Sequence, residues 1–292
     1  MANQLDGFNE YGRIQRVALR RPEAAFQSQA KIAAEWQRLA YTAAPLLAEA
    51  AKEYDRLEAV LTSAGATLDH LPADPELTLD ALYVRDAAIV APGGLILCNM
   101  GKPARRGEPV LHGQALAAAG IPLLGRIEGE GRIEGGDLVW FDRHCLAVGR
   151  GYRTNDEGIR QLRALVGPTV EVVVAALPHY RGPGDVFHLM SILSPLDRDL
   201  VLVYSPLMPV PFREWLIARG LALVEVPDAE FDSMGCNVLA IAPRHCVMLE
   251  GNPETEARLR AAGCRVEVIA GREISAKGQG GPTCLTRPLL RD

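Results

Sequence analysis

Paired apolar runs joined by tight polar turns recur about every fifty residues along this chain, each pair followed by a helical stretch and one more short apolar run. The first full copy has strands at 87–91 and 95–98 about the turn Pro92-Gly93-Gly94, then a helix at 109–119 and a strand at 121–124. The second has strands at 138–141 and 144–148 about Asp142-Arg143, a helix at 156–166 and a strand at 170–175. The third runs through 190–193, a turn at 196–199, 200–204, helix 211–219 and strand 221–226. The fourth uses 237–241, the turn Pro243-Arg244, 246–249, helix 253–262 and strand 265–269. A strand at 14–19, a helix from about 30 to 64 interrupted at Pro45, and a strand at 66–71 make a fifth unit at the N-terminal end. A strand-strand-helix-strand unit cannot cover both its sheet face and its helix face alone, so a fixed period of this size predicts repeats packed about a common centre. The expectation is an α/β fold built as a five-module ββαβ propeller, with pseudo-fivefold symmetry around a central site and one domain over residues 1–292. An ordinary mixed-sheet α/β domain with accidental spacing is the alternative.

Composition narrows the function. With 292 residues, 48% of them hydrophobic, the chain can bury a sizeable core. Its net charge of -5 and scattered Lys and Arg give no basic stripe, so nucleic acid is not an expected partner. No segment has the apolar length of a membrane span, and residues 1–10 show no apolar targeting run, which points to a cytoplasmic protein. Six cysteines lie at 98, 145, 236, 246, 264 and 284, with no Cys-x-x-Cys pair, so neither a metal nor another cofactor is expected. Cys98, Cys145 and Cys246 sit in apolar strands and read as core. Cys284 follows Gly278, Gly280, Gly281 and Pro282, as a thiol on a glycine-rich turn open to a ligand, or as a buried cysteine in a C-terminal tail.

The residues between modules carry charge where apolar strands flank them. Asp80 and Asp86 are an even number of residues apart and share a side if that stretch is extended. Glu134-Gly135-Gly136-Asp137 precedes the second hairpin and His188 enters the third. Repeats about a centre would bring these to one mouth with Cys284, and facing carboxylates need a cation to hold. Each has a plainer reading. Arg105 beside Arg106 can be a solvated charge, Arg153 can close a turn, Asp137 can accept backbone hydrogen bonds, and His188 can be a satisfied core histidine. His179 is the rival base, and the remaining histidines read as ordinary.

Taken in order, Asp80 with Asp86, Ala104-Arg105-Arg106-Gly107-Glu108, Glu134-Gly135-Gly136-Asp137, Arg153 to Gly158, His188-Leu189 and Gly280 to Cys284 resemble the guanidino-group-modifying enzymes of the pentein fold. The resemblance is closest to the dimethylarginine dimethylaminohydrolases, with arginine deiminases and amidinotransferases as relatives. It implies that Cys284 attacks a guanidinium carbon, that His188 protonates the departing amine and then activates water, and that a covalent thiouronium lies between. It implies that Asp80, Asp86 and Glu134 hold the cation, that Arg105 and Arg153 clamp an α-carboxylate, and that Leu19 lies beside the substrate. The product would be citrulline plus an amine. The expected partner is a small guanidino substrate, with a homodimer allowed.

Two departures bear on the substrate. Met190 stands where arginine deiminases usually carry an Asp, and Arg85 stands where the dimethylarginine enzymes tend to have a Glu. Arginine deiminase or dihydrolase chemistry, amidino transfer, and a catalytically idle pentein serving as a binding module are the alternatives. The joint presence of Cys284, His188 and the acids favours chemistry over the idle module.

Overall fold

The computed structural model describes residues 8–292; the start of the N-terminal segment, residues 1–7, lies outside the described residues. Strands β1 (Ile14–Leu19) and β2 (Thr67–His70) pair in parallel across the helix Leu47–Ser63. Four sheets of like topology follow: β3 (Ala88–Ala91), β4 (Gly94–Leu97) and β5 (Leu123–Arg126); β6 (Leu138–Asp142), β7 (Cys145–Arg150) and β8 (Glu171–Ala176); β9 (Leu193–Asp197), β10 (Leu200–Val203) and β11 (Ala222–Glu225); β12 (Leu239–Ala242), β13 (His245–Leu249) and β14 (Arg265–Ile269). In each, the first two strands form an antiparallel hairpin and the third runs parallel to the second. The last strand, β15 (Arg287–Arg291), pairs antiparallel with β1, so the two ends of the described chain complete one sheet and give it the same pattern.

The second copy shows why these residues fold this way. Helix Asp156–Val166 begins at Asn155, whose side chain accepts the Gly158 N–H at 2.9 Å, and ends at Gly167, whose φ of 81° suits glycine. Asp156 and Glu157 sit in the first turn and Arg163 in the last, in accord with the helix dipole. Its inner face buries Ile159, Leu162 and Val166 in the cluster that holds Leu146 and Val148 of β7, each contributing roughly 1.5–3 kcal/mol. Cys98, Cys145 and Cys246 are buried, as their apolar neighbours predict.

Three local expectations change. The N-terminal helix keeps its break about Pro45 but stops early, as Gln29–Glu35 and Leu47–Ser63, and a further short helix, Pro22–Ala25, precedes it. The stretch expected as strand at 190–193 is a tight turn, Leu189–Ser191, and β9 starts only at Leu193. There Ser191 Oγ accepts the His188 N–H at 3.1 Å and Asp137 Oδ1 accepts the Leu189 N–H at 3.0 Å, which removes those donors from a strand ladder. Residues Leu79–Leu82 likewise form a tight turn that carries Asp80, and Asp86 sits in a bend just ahead of β3, so the two do not alternate along one extended strand.

Neighbouring sheets are stitched at these turns. Arg85 N donates to Cys284 O at 3.1 Å and Gly135 N to Asp86 O at 2.9 Å. Asp137 reaches Leu189 as above, Ser194 Oγ donates to Cys236 O at 2.7 Å, and Thr283 N donates to Asn237 Oδ1 at 3.0 Å.

Candidate active site

Five polar side chains come one from each module, at the same place in it. Asp86, Glu134, His188, Asn237 and Cys284 all lie within a few residues ahead of the first strand of a hairpin, or of β15 in the sheet shared by both ends. Cys284 and Asn237 touch, as do His188 and Glu134.

His188 is buried and its Nε2 lies 2.8 Å from Glu134 Oε2, while its Nδ1 is 3.9 Å from Asp86 Oδ1. Burial by itself lowers its pKa, but the charges of Asp86 and Asp137 and the bond to Glu134 outweigh it and carry the imidazole up to about 9. The ring is therefore a cation at neutral pH. Glu134, fully buried, is opposed by its own desolvation, yet the hydrogen bond and charge of His188 and the charge of Arg153 hold it well below the usual carboxylate range. Its Oε1 also accepts the Lys102 N–H at 2.9 Å, and Arg153 Nη1 lies 3.2 Å from Oε2. Asp137 is pushed up to about 6, chiefly by burial. Gly136 is required by space: a Cβ there would lie 2.6 Å from His188 Nδ1 and 2.8 Å from Asp86 Oδ1.

Cys284 is partly exposed, and Asn237 Nδ2 lies 3.3 Å from its sulfur. Burial and then the charge of Asp86 push its thiol upward, against the hydrogen bonds from Asn237 and Thr283. The glycines before it act by close approach rather than by unusual backbone angles. None of Gly278, Gly280 and Gly281 has positive φ; side chains there would run into Tyr83, Tyr83 and Asn237. Arg85 Nε holds the Thr283 carbonyl at 3.0 Å from behind.

Asp80 is buried and lies 2.7 Å from Lys102 Nζ. Asp86 accepts the Gly136 N–H at 3.0 Å and bonds Arg105 Nη1. Arg105 is no solvated charge: it is buried, bidentate to Glu108 at 2.8 Å, and also bonded to the Tyr83 carbonyl at 2.8 Å. Arg153 is buried too, with Nη2 on the Asp185 carbonyl at 3.1 Å. Leu19 is fully buried in the core cluster of β1 with Phe26, Tyr54 and Leu285, and is not among the side chains lining the cavities. His179 pairs with Tyr152 at the surface, at 2.6 Å, away from the sulfur.

Two cavities meet at Cys284. One, about 840 Å³, is lined by Asp80, Asp86, Lys102, Arg105 and Arg153, with Arg132 and Arg150 at its wall. The other, about 580 Å³, is lined by His188, Met190 and Asn237 with Tyr180, Phe187 and Phe231. Asp86, Glu134 and His188 also place one ligand atom each within 4.8 Å of one another, a spacing a metal ion could use. The carboxylates already face Arg105, Arg153, Lys102 and His188, and planar donors such as a guanidinium match them by charge and shape.

The arginine deiminase family pattern matches residues 78–218 and 208–291, and the chain belongs to that family, within the guanidino-group-modifying enzymes of the pentein superfamily. Among individual proteins, it is 28% identical over 282 residues to the uncharacterized protein YkgA of Bacillus subtilis, covering 97% of this chain and 94% of that one. It is 28% identical over 297 residues to the arginine deiminase of Rhodococcus erythropolis, covering 82% and 71%. Its fold matches a serine variant of the dimethylarginine dimethylaminohydrolase of Pseudomonas aeruginosa complexed with citrulline, with a TM-score of 0.74 over 96% of this chain and 100% of that one, at 21% identity. A guanidino C–N hydrolase with a cysteine nucleophile is the class these relatives define. Among the described residues, no helix is long and apolar enough to cross a membrane.

Proposed function

We propose that this protein hydrolyses a guanidine C–N bond of arginine or an Nω-methylated arginine, giving citrulline and an amine. The observation that carries the reading is the junction itself: a partly exposed thiol beside a buried His188–Glu134–Asp86 cluster, where a charged cavity holding Asp80 and Asp86 among arginines and Lys102 meets a more apolar one. In this reading the five hydrogen-bonded links between neighbouring sheets close a ring about the junction, and the chain works as one catalytic domain.

The substrate enters as a cation, and Asp86 and Asp80, which line the cavity, hold its planar group face-on to sulfur, while Glu134, fully buried and lining neither cavity, backs them through His188 and Arg153. Its charge offsets the acids that keep Cys284 protonated, so on binding the thiol loses its proton to solvent and the thiolate attacks the central carbon. The C–N bond breaks as His188 gives its proton to the departing amine, leaving a thiouronium on Cys284. Neutral His188 then takes a proton from water, the oxygen adds to the same carbon, the C–S bond breaks and the sulfur leaves. Glu134 acts through His188, keeping it charged until the amine departs.

The α-carboxylate clamp expected from Arg105 and Arg153 is redistributed. Arg105 is committed to Glu108, Asp86 and Tyr83, so it fixes Asp86, and Arg153 and Lys102, which line the same cavity, meet the carboxylate by giving up their bonds to the Asp185 and Leu39 carbonyls. Leu19, buried in core, supports β1 rather than the ligand. Met190 and the aromatic wall suit methyl groups on the departing nitrogen.

Incubation with arginine, methylated arginines and agmatine, followed by mass spectrometry for citrulline and amine, tests this. Turnover lost in Cys284→Ser is expected. Amidine appearing on an added amine in place of citrulline would select transfer, and no turnover of any guanidine would leave the idle binding module.

A further inference from the structure

A third cavity, about 30 Å³, lies between residues 8–10 and β15 and shares Arg85 with the apolar chamber. Its wall includes Arg85, Arg287 and Arg291, which are 1%, 4% and 4% exposed, and one carboxylate, Glu10. Glu10 bonds Arg85 Nη1 at 3.1 Å and stands 3.9 Å from Arg291 Nη2. The remaining bonds go to backbone oxygens: Arg287 Nη2 to Arg85 O, and Arg291 Nη1 to Gly12 O and Ala240 O at 2.6 and 2.9 Å. Arg85 Nη2, Arg287 Nε, and Arg291 Nε and Nη2 are buried without a hydrogen-bond partner among the described residues.

Among the described residues, three guanidiniums stand against one carboxylate, which leaves two positive charges out of water. Burial first, and then the repulsion of Arg85, push Arg287 down to about 9 and Arg291 down to about 10, which still leaves both charged at neutral pH. Asp86, the next carboxylate whose charge reaches Arg287, is committed to Arg105. An uncompensated buried charge costs several kcal/mol, and water can satisfy an N–H but supplies no countercharge. The free groups here are all donors, which rejects cations. The volume of about 30 Å³ admits two or three water-sized bodies, at about 10–15 Å³ each, and so suits a small ion better than sulfate or phosphate.

We propose that this cavity binds a small monovalent inorganic anion of chloride size, and that the anion braces the nucleophile turn through Arg85. Arg85 carries the Thr283 carbonyl on Nε and the Cys284 carbonyl on its own N–H, so fixing its guanidinium fixes the residue that bears the sulfur.

The test is thermal melting of the full chain in potassium chloride against potassium gluconate at equal ionic strength, with the alkylation rate of Cys284 read in the same buffers. Chloride should raise Tm saturably by several degrees and change the alkylation rate several-fold. Crystals soaked in bromide should show an anomalous peak among the three arginines. Arg291→Met, or Arg287→Met if the first does not fold, should lose the chloride-dependent shift, while Arg13→Met at the exposed Asp292 pair should keep it. Superimposable curves in the two salts, no bromide peak, or a shift that persists in the variants would each overturn the proposal.

Discussion

Replacing Glu134 by Gln should move the protonation of His188 and with it the basic limb of activity. His188 rests at about 9 against an ordinary 6.5, a difference of about 2.5 units, which at about 1.4 kcal/mol per unit amounts to about 3 kcal/mol favouring the imidazolium. Burial opposes that charge, so the carboxylates supply more than the net figure. Glu134 is in direct contact at 2.8 Å, whereas Asp86 is 3.9 Å away and shared with Arg105. A neutral amide keeps the shape and removes the countercharge, and a fall of roughly 1–2 units follows. The first half-reaction needs His188 as an acid, so the fall of kcat/KM at high pH should shift from near 9 toward neutrality in Glu134→Gln. The carbon-13 shift of the His188 ring, followed by NMR, should titrate in step. Stability obeys the same linkage: a raised histidine pKa stabilises the fold below about 6.5, and this contribution is lost as pH climbs through about 9. A neutral His188 at pH 7 in the unaltered protein, or a basic limb unmoved in the variant, would refute the reasoning.

An inert guanidinium mimic should lower the apparent pKa of Cys284, seen as thiolate absorbance or faster alkylation; full thiolate without ligand, lost in His188→Ala, would instead mark a resting ion pair. Arg153→Ala should weaken binding of substrates that carry an α-carboxylate by about 2–5 kcal/mol and spare agmatine, as read from KM for each; equal losses would make the arginine a support of Glu134 alone. Asn237→Ala should leave the protein folded by circular dichroism, yet slow single-turnover attack by Cys284, because it frees both the sulfur and Thr283. Gly136→Ala should abolish turnover while sparing the distant sheets, since its methyl would enter the space between His188 and Asp86.

The repeat was legible because each hairpin is a fully buried apolar pair with a polar turn, a pattern set by local composition and the fifty-residue period. The turns that carry chemistry were not. Side chains take the backbone donors around His188, through Ser191 and Asp137, and at Leu79 beside Asp80, through Glu35, so alternation along a strand is the wrong ruler. Lys102 carries no motif, and its place depends on Asp80 and the Glu134 carboxylate arriving from other modules. Arg105 reads as a surface charge until Glu108, three residues on and around one turn, is seen to hold it in a fork. Asn237 differs from these, because the period itself points to it. Asp86, Glu134, His188 and Cys284 sit two, four, five and three residues ahead of β3, β6, β9 and β15, and the same window ahead of β12 spans Met234 to Asn237, where Cys236 and Asn237 are the chemical candidates. Cys236 is buried beneath Leu202 and Ser194, so the asparagine is the group free to face the sulfur. A repeat that sets one polar side chain from each copy at a common junction therefore constrains function as well as fold: four modules filled near one place point to the fifth, and its chemistry, a neutral donor to sulfur, favours the thiolate that burial and Asp86 oppose until the cation arrives.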